Sequence, residues 1–130
     1  MNNETHIEID ALRECLIDRI GELRADLEEA AQRREDASSD EDATDVADRK
    51  DDAEQWRRSE LDAESERVER DELRHCEQAL RRIEQGVYGE CTDCHQPLAP
   101  ARLRVQPEAE RCTACQDKHE RRLQGLWRHA

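Results

Sequence analysis

The sequence predicts a mostly α-helical protein with a long antiparallel helical hairpin, a coiled coil, ahead of a small cysteine-rich region and a C-terminal helix. Residues 22–85 contain no Gly or Pro and are rich in Glu, Ala, Arg and Leu, which is typical of helix. As one rod this run would measure about 96 Å at about 1.5 Å per residue. A turn within it is therefore expected.

Composition excludes a conventional globular domain. Of the 130 residues, 35% are hydrophobic, 2% are aromatic and 42% are charged, too few apolar residues to fill the core of one compact globule. No apolar run reaches the length of a membrane span, and the first residues, MNNETHIEID, lack the pattern of a secretion signal. A cytoplasmic protein is expected, in which six cysteines indicate metal binding before disulfides.

Charge divides the chain into two predicted domains. Residues 1–85 carry 14 basic and 28 acidic side chains, whereas residues 86–130 carry 7 basic and 6 acidic ones. All three prolines and two of the four glycines also lie within residues 86–107. We expect an acidic helical hairpin over residues 1–85, with its tip near 38–52, and a cysteine-rich domain with a C-terminal helix over 86–130.

Two apolar seams support the hairpin, because apolar residues recur three or four positions apart on each side of the expected tip. The first seam is Ile9, Leu12, Leu16, Ile20, Leu23, Leu27 and Ala30. The returning seam is Leu73, Cys76, Leu80, Ile83 and Val87. Cys15 and Cys76 fall on or beside these seams, so both are interpreted as small buried core thiols.

The cysteine spacing carries the strongest chemical signal. Two CxxC pairs are separated by seventeen residues, and their members are Cys91, Cys94, Cys112 and Cys115. Two such pairs brought together by a chain reversal supply the four thiolates of a tetrahedral zinc site. Four ligands leave no open coordination position, so one structural Zn²⁺ is expected. His95 is interpreted as a surface residue and not as a ligand, and histidine is among the residues that tolerate a left-handed backbone if the position after the pair requires one.

The region around these cysteines resembles the TraR/DksA zinc-finger family of bacteria. The resemblance is carried by residues 79–91 (ALRRIEQGVYGEC), Cys94, Pro97-Leu98, Arg102-Leu103, Gln106-Pro107 and the second CxxC pair. It implies a regulator that binds RNA polymerase directly and inserts a coiled-coil tip into the secondary channel. It also implies joint action with the alarmone ppGpp at the polymerase interface.

The family's tip motif, Asp-x-x-Asp-x-Ala, fits this sequence in two registers. One register is Asp48, Asp51 and Ala53, which lies at a distance from the finger closer to that of full-length family members. The other is Asp42, Asp45 and Ala47, nearer the middle of a length-matched hairpin. The first is slightly favoured. The Pro common after the first tip Asp is absent from both, and His95 replaces a Gly common after the second Cys.

The net charge of −13 argues against direct sequence-specific DNA binding, because nucleic-acid affinity comes mostly from neutralised phosphates. Acidic residues at the end of a hairpin fit instead a recessed basic or metal-containing pocket. A smaller basic group around the finger is a candidate for partner contacts. Its members are Arg102, Arg104, Arg111, Lys118, Arg121 and Arg122.

These observations favour a non-enzymatic transcription regulator that binds RNA polymerase. No Gly-rich phosphate loop, serine-nucleophile motif or HExxH zinc motif indicates an enzyme. The alternative is a zinc-stabilised acidic coiled-coil adaptor that binds another basic protein partner. A third hypothesis, a thiol redox enzyme that uses the CxxC pairs, requires free thiols in the native protein.

Overall fold

A computed structural model describes residues 3–40 and 49–128, and these are built from four helices: α1 (Asn3–Asp40), α2 (Arg49–Gln85), α3 (Pro100–Val105) and α4 (Thr113–Arg128). Within these two ranges there is no strand, and one isolated antiparallel bridge joins Glu90 to Pro97. The mostly α fold class is confirmed. Among the helices of the described residues, none combines the length and apolarity that a membrane span needs.

One compact unit, Asp18–Arg74, is formed by parts of α1 and α2. The two helix segments run antiparallel, because early α1 pairs with late α2: the Arg19 guanidinium donates to both carboxylate oxygens of Glu72, at 2.7 and 3.0 Å. Further along α1, Arg34 pairs with Glu66, earlier in α2, at 2.8 Å. The helical hairpin predicted from the apolar seams is thus present in this unit.

The packing of this unit is one-sided. Ile20, Leu23 and Ala30 of α1 are buried, whereas α2 buries one charged side chain, Glu66, among its described residues of the unit. Arg34 and Arg70 each donate to Glu66 Oε2 at 2.8 Å, so the buried carboxylate is compensated from both helices. Glu66 therefore takes the place on α2 that an apolar seam residue would normally occupy.

The second unit comprises Met1–Ile17 and His75–Ala130. Its cysteine-rich part has a small apolar cluster of Cys91, Leu98 and Leu103, against which Leu12 of α1 and Tyr88 pack. Burial raises the pKa of Tyr88 to about 12, so its hydroxyl stays protonated and donates to the Pro107 carbonyl at 2.9 Å. The loop after α3 is thereby held to the end of α2.

Most predicted seam residues are buried or half-buried, with two corrections. Val87 is exposed, because α2 ends at Gln85 and the chain turns before reaching it. Cys15 is also exposed, whereas Cys76 is completely buried as predicted. Cys15 precedes the seam residue Leu16 by one position, which rotates its side chain by about 100° around the helix. Ala79 is buried although the predicted seam omits it.

The Glu66 cluster predicts an asymmetric response to removal of charge. Glu66→Gln should lower the free energy of unfolding by about 1–2 kcal/mol, since it weakens charge-assisted bonds to two arginines around a buried oxygen. Glu64→Gln is the matched control, because Glu64 is exposed and pairs with Arg67 in a single i,i+3 contact at 3.5 Å. It should cost less than about 0.5 kcal/mol in urea unfolding followed by circular dichroism. Equal losses in the two variants would contradict this account of Glu66.

Candidate metal centre

The cysteine-rich region begins where α2 stops at a glycine. Gly86 has a φ of 76°, and the backbone N–H groups of Gly86 and Val87 donate to carbonyls of the last helical turn. This left-handed ending satisfies carbonyl groups that a helix end leaves unpaired. Gly89, with a φ of 87°, makes a second turn, and its carbonyl accepts from Leu98 N at 2.8 Å. The two glycines direct the chain into the first cysteine pair.

The first cysteine pair lies in a tight turn. His95 N donates to the Cys91 carbonyl at 3.0 Å, and Cys91 N donates to the Gln96 carbonyl at 2.8 Å. His95 has a φ of 63° and an exposed side chain, with Nδ1 3.2 Å from Glu90 Oε1. The structure thus places His95 at the surface, as expected, and in a left-handed backbone conformation.

The second cysteine pair lies at the start of α4. Cys115 N donates to Cys112 Sγ at 3.4 Å, and Gln116 N donates to the Cys112 carbonyl at 2.8 Å. Two contacts join this pair to the first: Thr92 N donates to the Glu110 carbonyl at 2.9 Å, and Arg111 Nε donates to Asp93 at 2.9 Å. Backbone geometry and one ion pair therefore bring the two pairs together.

The four thiol groups converge as a metal site requires. The Sγ atoms of Cys91, Cys94, Cys112 and Cys115 all lie within 4.8 Å of one another. Cys94 Sγ and Cys112 Sγ are 3.8 Å apart, about the edge of a sulfur tetrahedron around a zinc ion with Zn–S bonds of about 2.3 Å. The donor set thus fits Zn²⁺, and all four cysteines could bind it.

The thiols occupy unequal environments. Although burial opposes ionisation of Cys91, backbone N–H groups at Cys94, Cys112 and Asp93 outweigh it and lower the pKa of that thiol to about 6. A hydrogen bond with Cys112 contributes most to raising the pKa of Cys115 to about 12. Cys91 is fully buried and Cys94 is exposed. Backbone N–H groups therefore favour the thiolate form of the buried Cys91, the form that binds a metal.

The predicted basic contacts divide into paired and unpaired groups. Arg104 pairs with Glu8 at 2.6 Å, and Arg121 pairs with Asp117 at 3.2 Å. Arg111 binds Asp93 and Glu110, while Arg102 Nε donates to the Arg111 carbonyl at 3.2 Å. Lys118 and Arg122, one turn apart on α4, have no ion-pair partner among the residues the structure describes. They line a hollow beside Cys94 and Cys115 with a volume of about 570 Å³.

The predicted tip lies mostly outside the described residues. Asp42, Asp45, Ala47 and Asp48 fall between residues 40 and 49, and the side chain of Asp51 is likewise not described. Ala53 is exposed on α2. The choice between the two registers stays a prediction.

Two residues that hold the loop between the cysteine pairs were not identified from the sequence as positioning residues. Arg82 of α2 donates to the Ala109 carbonyl at 3.5 Å and lies 3.6 Å from Glu110. Tyr88 holds Pro107, as described above. An arginine in an Arg-rich helix is not distinctive, but a single tyrosine between two glycines could have been singled out as a packing residue.

Comparisons with known proteins agree with this geometry. The family model for the prokaryotic dksA/traR C4-type zinc finger matches residues 86–121. The chain is also similar to the RNA polymerase-binding transcription factor DksA from two strains of Caulobacter vibrioides. The identity is 46% over 46 residues. The match covers 35% of this chain and 32% of that relative.

A solved structure extends the likeness in fold. Transcription factor DksA2 from Pseudomonas aeruginosa matches with a TM-score of 0.71, over 91% of this chain and 87% of that one, at 24% sequence identity. Fold and site together define a C4 zinc-finger protein with long paired helices and a structural zinc. The cysteine-rich region is thus similar to the dksA/traR zinc finger, and the fold of the chain is similar to that of DksA2.

The cysteine cluster predicts the zinc content of the protein. We expect about one zinc per chain by elemental mass spectrometry. Cys91→Ala should lose this zinc, because the three remaining thiolates leave one coordination position of the metal open. Cys15→Ala is the matched control and should keep its zinc, since Cys15 is exposed and is not part of the cluster. A full zinc complement in Cys91→Ala would contradict the site.

The left-handed His95 predicts a backbone effect that is separate from metal ligation. His95→Gly should keep the zinc and raise stability by up to about 1 kcal/mol, because glycine adopts a positive φ without a Cβ clash. His95→Val should lower stability, since a β-branched residue is poorly tolerated there. Chelator competition and thermal unfolding of the zinc-loaded protein measure both. Zinc loss in His95→Gly would show that the histidine is a ligand.

Proposed function

We propose that the chain is a non-enzymatic transcription regulator that binds RNA polymerase directly. The zinc finger, with Cys91, Cys94, Cys112 and Cys115 as its ligands, folds the region that docks. The C4 finger is the observation that best supports this proposal. Its four thiols converge, and residues 86–121 match the dksA/traR zinc finger. A curated relative with this finger is named as RNA polymerase-binding. The site of action we propose is the cytoplasm.

In this proposal, the acidic tip of the hairpin enters the secondary channel of the polymerase and there alters transcription. The register Asp48, Asp51 and Ala53 is favoured because its distance from the finger is closer to that of full-length family members. A channel with a basic lining and Mg²⁺ is the kind of environment that such carboxylates can approach.

The finger supplies the proposed docking contacts. Lys118 and Arg122 are the members of the basic group best suited to contact an acidic polymerase surface, because neither forms an ion pair with a described side chain. The other four members already form hydrogen bonds or ion pairs within the chain, and a partner would have to compete with these. They are Arg102, Arg104, Arg111 and Arg121. Joint action with ppGpp at the polymerase interface is proposed on the family resemblance alone.

Substitutions at the tip should abolish the effect on transcription without abolishing binding to RNA polymerase. Asp48→Asn and Asp51→Asn each remove one charge with little change of shape, so affinity for core RNA polymerase should change by less than about threefold. The effect on transcription in vitro should be largely lost. Asp36→Asn on α1 is a matched control outside the motif and should leave both unchanged. The readouts are polymerase co-purification and single-round transcription.

Two outcomes would overturn the proposal. No affinity for polymerase at micromolar concentration would exclude direct binding. Unchanged transcription by the tip variants, together with a different basic protein recovered in a pull-down, would favour the adaptor hypothesis.

A further inference from the structure

Arg82 is a charged side chain near the end of α2 that is directed toward the finger and away from water. Its side chain is 12% exposed, and burial lowers the pKa of its guanidinium. A guanidinium removed from water needs partners. Arg82 donates to the Ala109 carbonyl at 3.5 Å and lies 3.6 Å from a carboxylate oxygen of Glu110. Its own carbonyl accepts from Val87 N at 3.0 Å, so the residue lies both at the helix end and against the finger.

Glu110 connects this contact to a second arginine. Its other carboxylate oxygen lies 2.7 Å from Arg111, and Arg111 Nε donates to Asp93 at 2.9 Å. Four charges of alternating sign therefore form one continuous row, which consists of Arg82, Glu110, Arg111 and Asp93. The side chains of Arg111 and Glu110 are 19% and 22% exposed, and such shielding from water strengthens the contacts between them.

The row ends inside the metal site. Asp93 lies between Cys91 and Cys94, and its backbone N–H is among the groups that hydrogen-bond the Cys91 thiol. Arg111 directly precedes Cys112. The bond between Arg111 and Asp93 thus crosses from one cysteine pair to the other, one residue away from a ligand on each side. Because four thiolates bind one zinc ion only while the two pairs stay close, this bond acts on metal affinity.

The backbone around Arg111 is held at two further points. Arg102 of α3 donates to the Arg111 carbonyl at 3.2 Å, and Thr92 N donates to the Glu110 carbonyl at 2.9 Å. The Arg111 side chain therefore extends from an anchored backbone, and its two carboxylate partners restrict its orientation. A side chain anchored in this way fixes the separation of residues 93 and 111, as a positioning role requires.

We propose that Arg111 is a positioning residue for zinc and that Arg82 extends its effect to α2, so that zinc affinity and the order of the last turns of α2 are coupled. Zinc favours the loop arrangement in which the row is complete, and the complete row favours zinc to the same degree, because such coupling is reciprocal. Without zinc, the loops that carry the cysteines lose the metal that folds them, and Arg82 loses its partners. This coupling is independent of polymerase binding.

Zinc affinity of the full chain, measured by chelator competition, tests the positioning role. Arg111→Met removes both ion pairs but keeps a long side chain, and it should weaken zinc binding about tenfold. Asp93→Asn weakens the same bond from its other end and should lower the affinity by at least about threefold. Arg81→Met is the matched control and should stay within twofold, because Arg81 is exposed. At saturating Co²⁺, all three variants should show the absorption spectrum of a tetrahedral thiolate site.

Amide hydrogen exchange tests the coupling to α2. Zinc loading should slow the exchange of residues 79–87 in the wild-type chain, and Arg82→Met should remove most of this slowing while zinc is still bound. Arg81→Met is again the control, since its side chain lies about 100° around the helix from Arg82, and it should exchange like the wild type. A residue that only stabilised α2 would alter exchange equally with and without zinc.

Each contrary result overturns a defined part of the proposal. Wild-type zinc affinity in both Arg111→Met and Asp93→Asn would show that their bond does not position the ligands. If Arg111→Met lacks the cobalt spectrum because it does not fold, the affinity of Asp93→Asn decides the question. Equal exchange changes with and without zinc in Arg82→Met would overturn the coupling to α2. These readouts do not involve polymerase, so the proposed function stands or fails separately.

Discussion

The scarcity of buried apolar side chains is the constraint on which the described structure depends. Ten apolar residues are buried among those described, and three of them, Cys91, Leu98 and Leu103, form the cluster inside the finger. At about 1.5–3 kcal/mol for each large side chain, such a set offsets little of the entropy lost in ordering the chain. Each compact unit therefore needs a second source of stability.

The two units meet this need with different chemistry. In Asp18–Arg74, a buried Glu66 shared by Arg34 and Arg70 replaces apolar contacts on α2. In the finger, metal ligation does so, since structural zinc binding in small fingers is worth about 10–16 kcal/mol. An ion pair and a metal site both require particular partners at particular distances. They therefore specify register more strictly than interchangeable apolar residues would.

Sequence predicted the parts of this structure that depend on local spacing. The cysteine pairs are local, so their convergence followed from the intervals between Cys91, Cys94, Cys112 and Cys115. The α1 seam also followed from periodicity. The burial of Glu66 could not be predicted, because it depends on which arginines of both helices reach it. Periodicity also misplaced Cys15, because a neighbour of a seam residue can fall on the exposed side of the helix.

The excess of acidic over basic residues bears on which cations an acidic chain can present to a partner. Because carboxylates outnumber basic groups, most arginines are held by nearby acids, and the exceptions stand out. Lys118 and Arg122 on α4 are two such residues, with no ion-pair partner among the side chains that the structure describes. In the proposed complex, long-range attraction of the acidic chain to a basic surface and short-range contact through these cations would use opposite charges. The first would steer the encounter over a Debye length, and the second would fix the orientation.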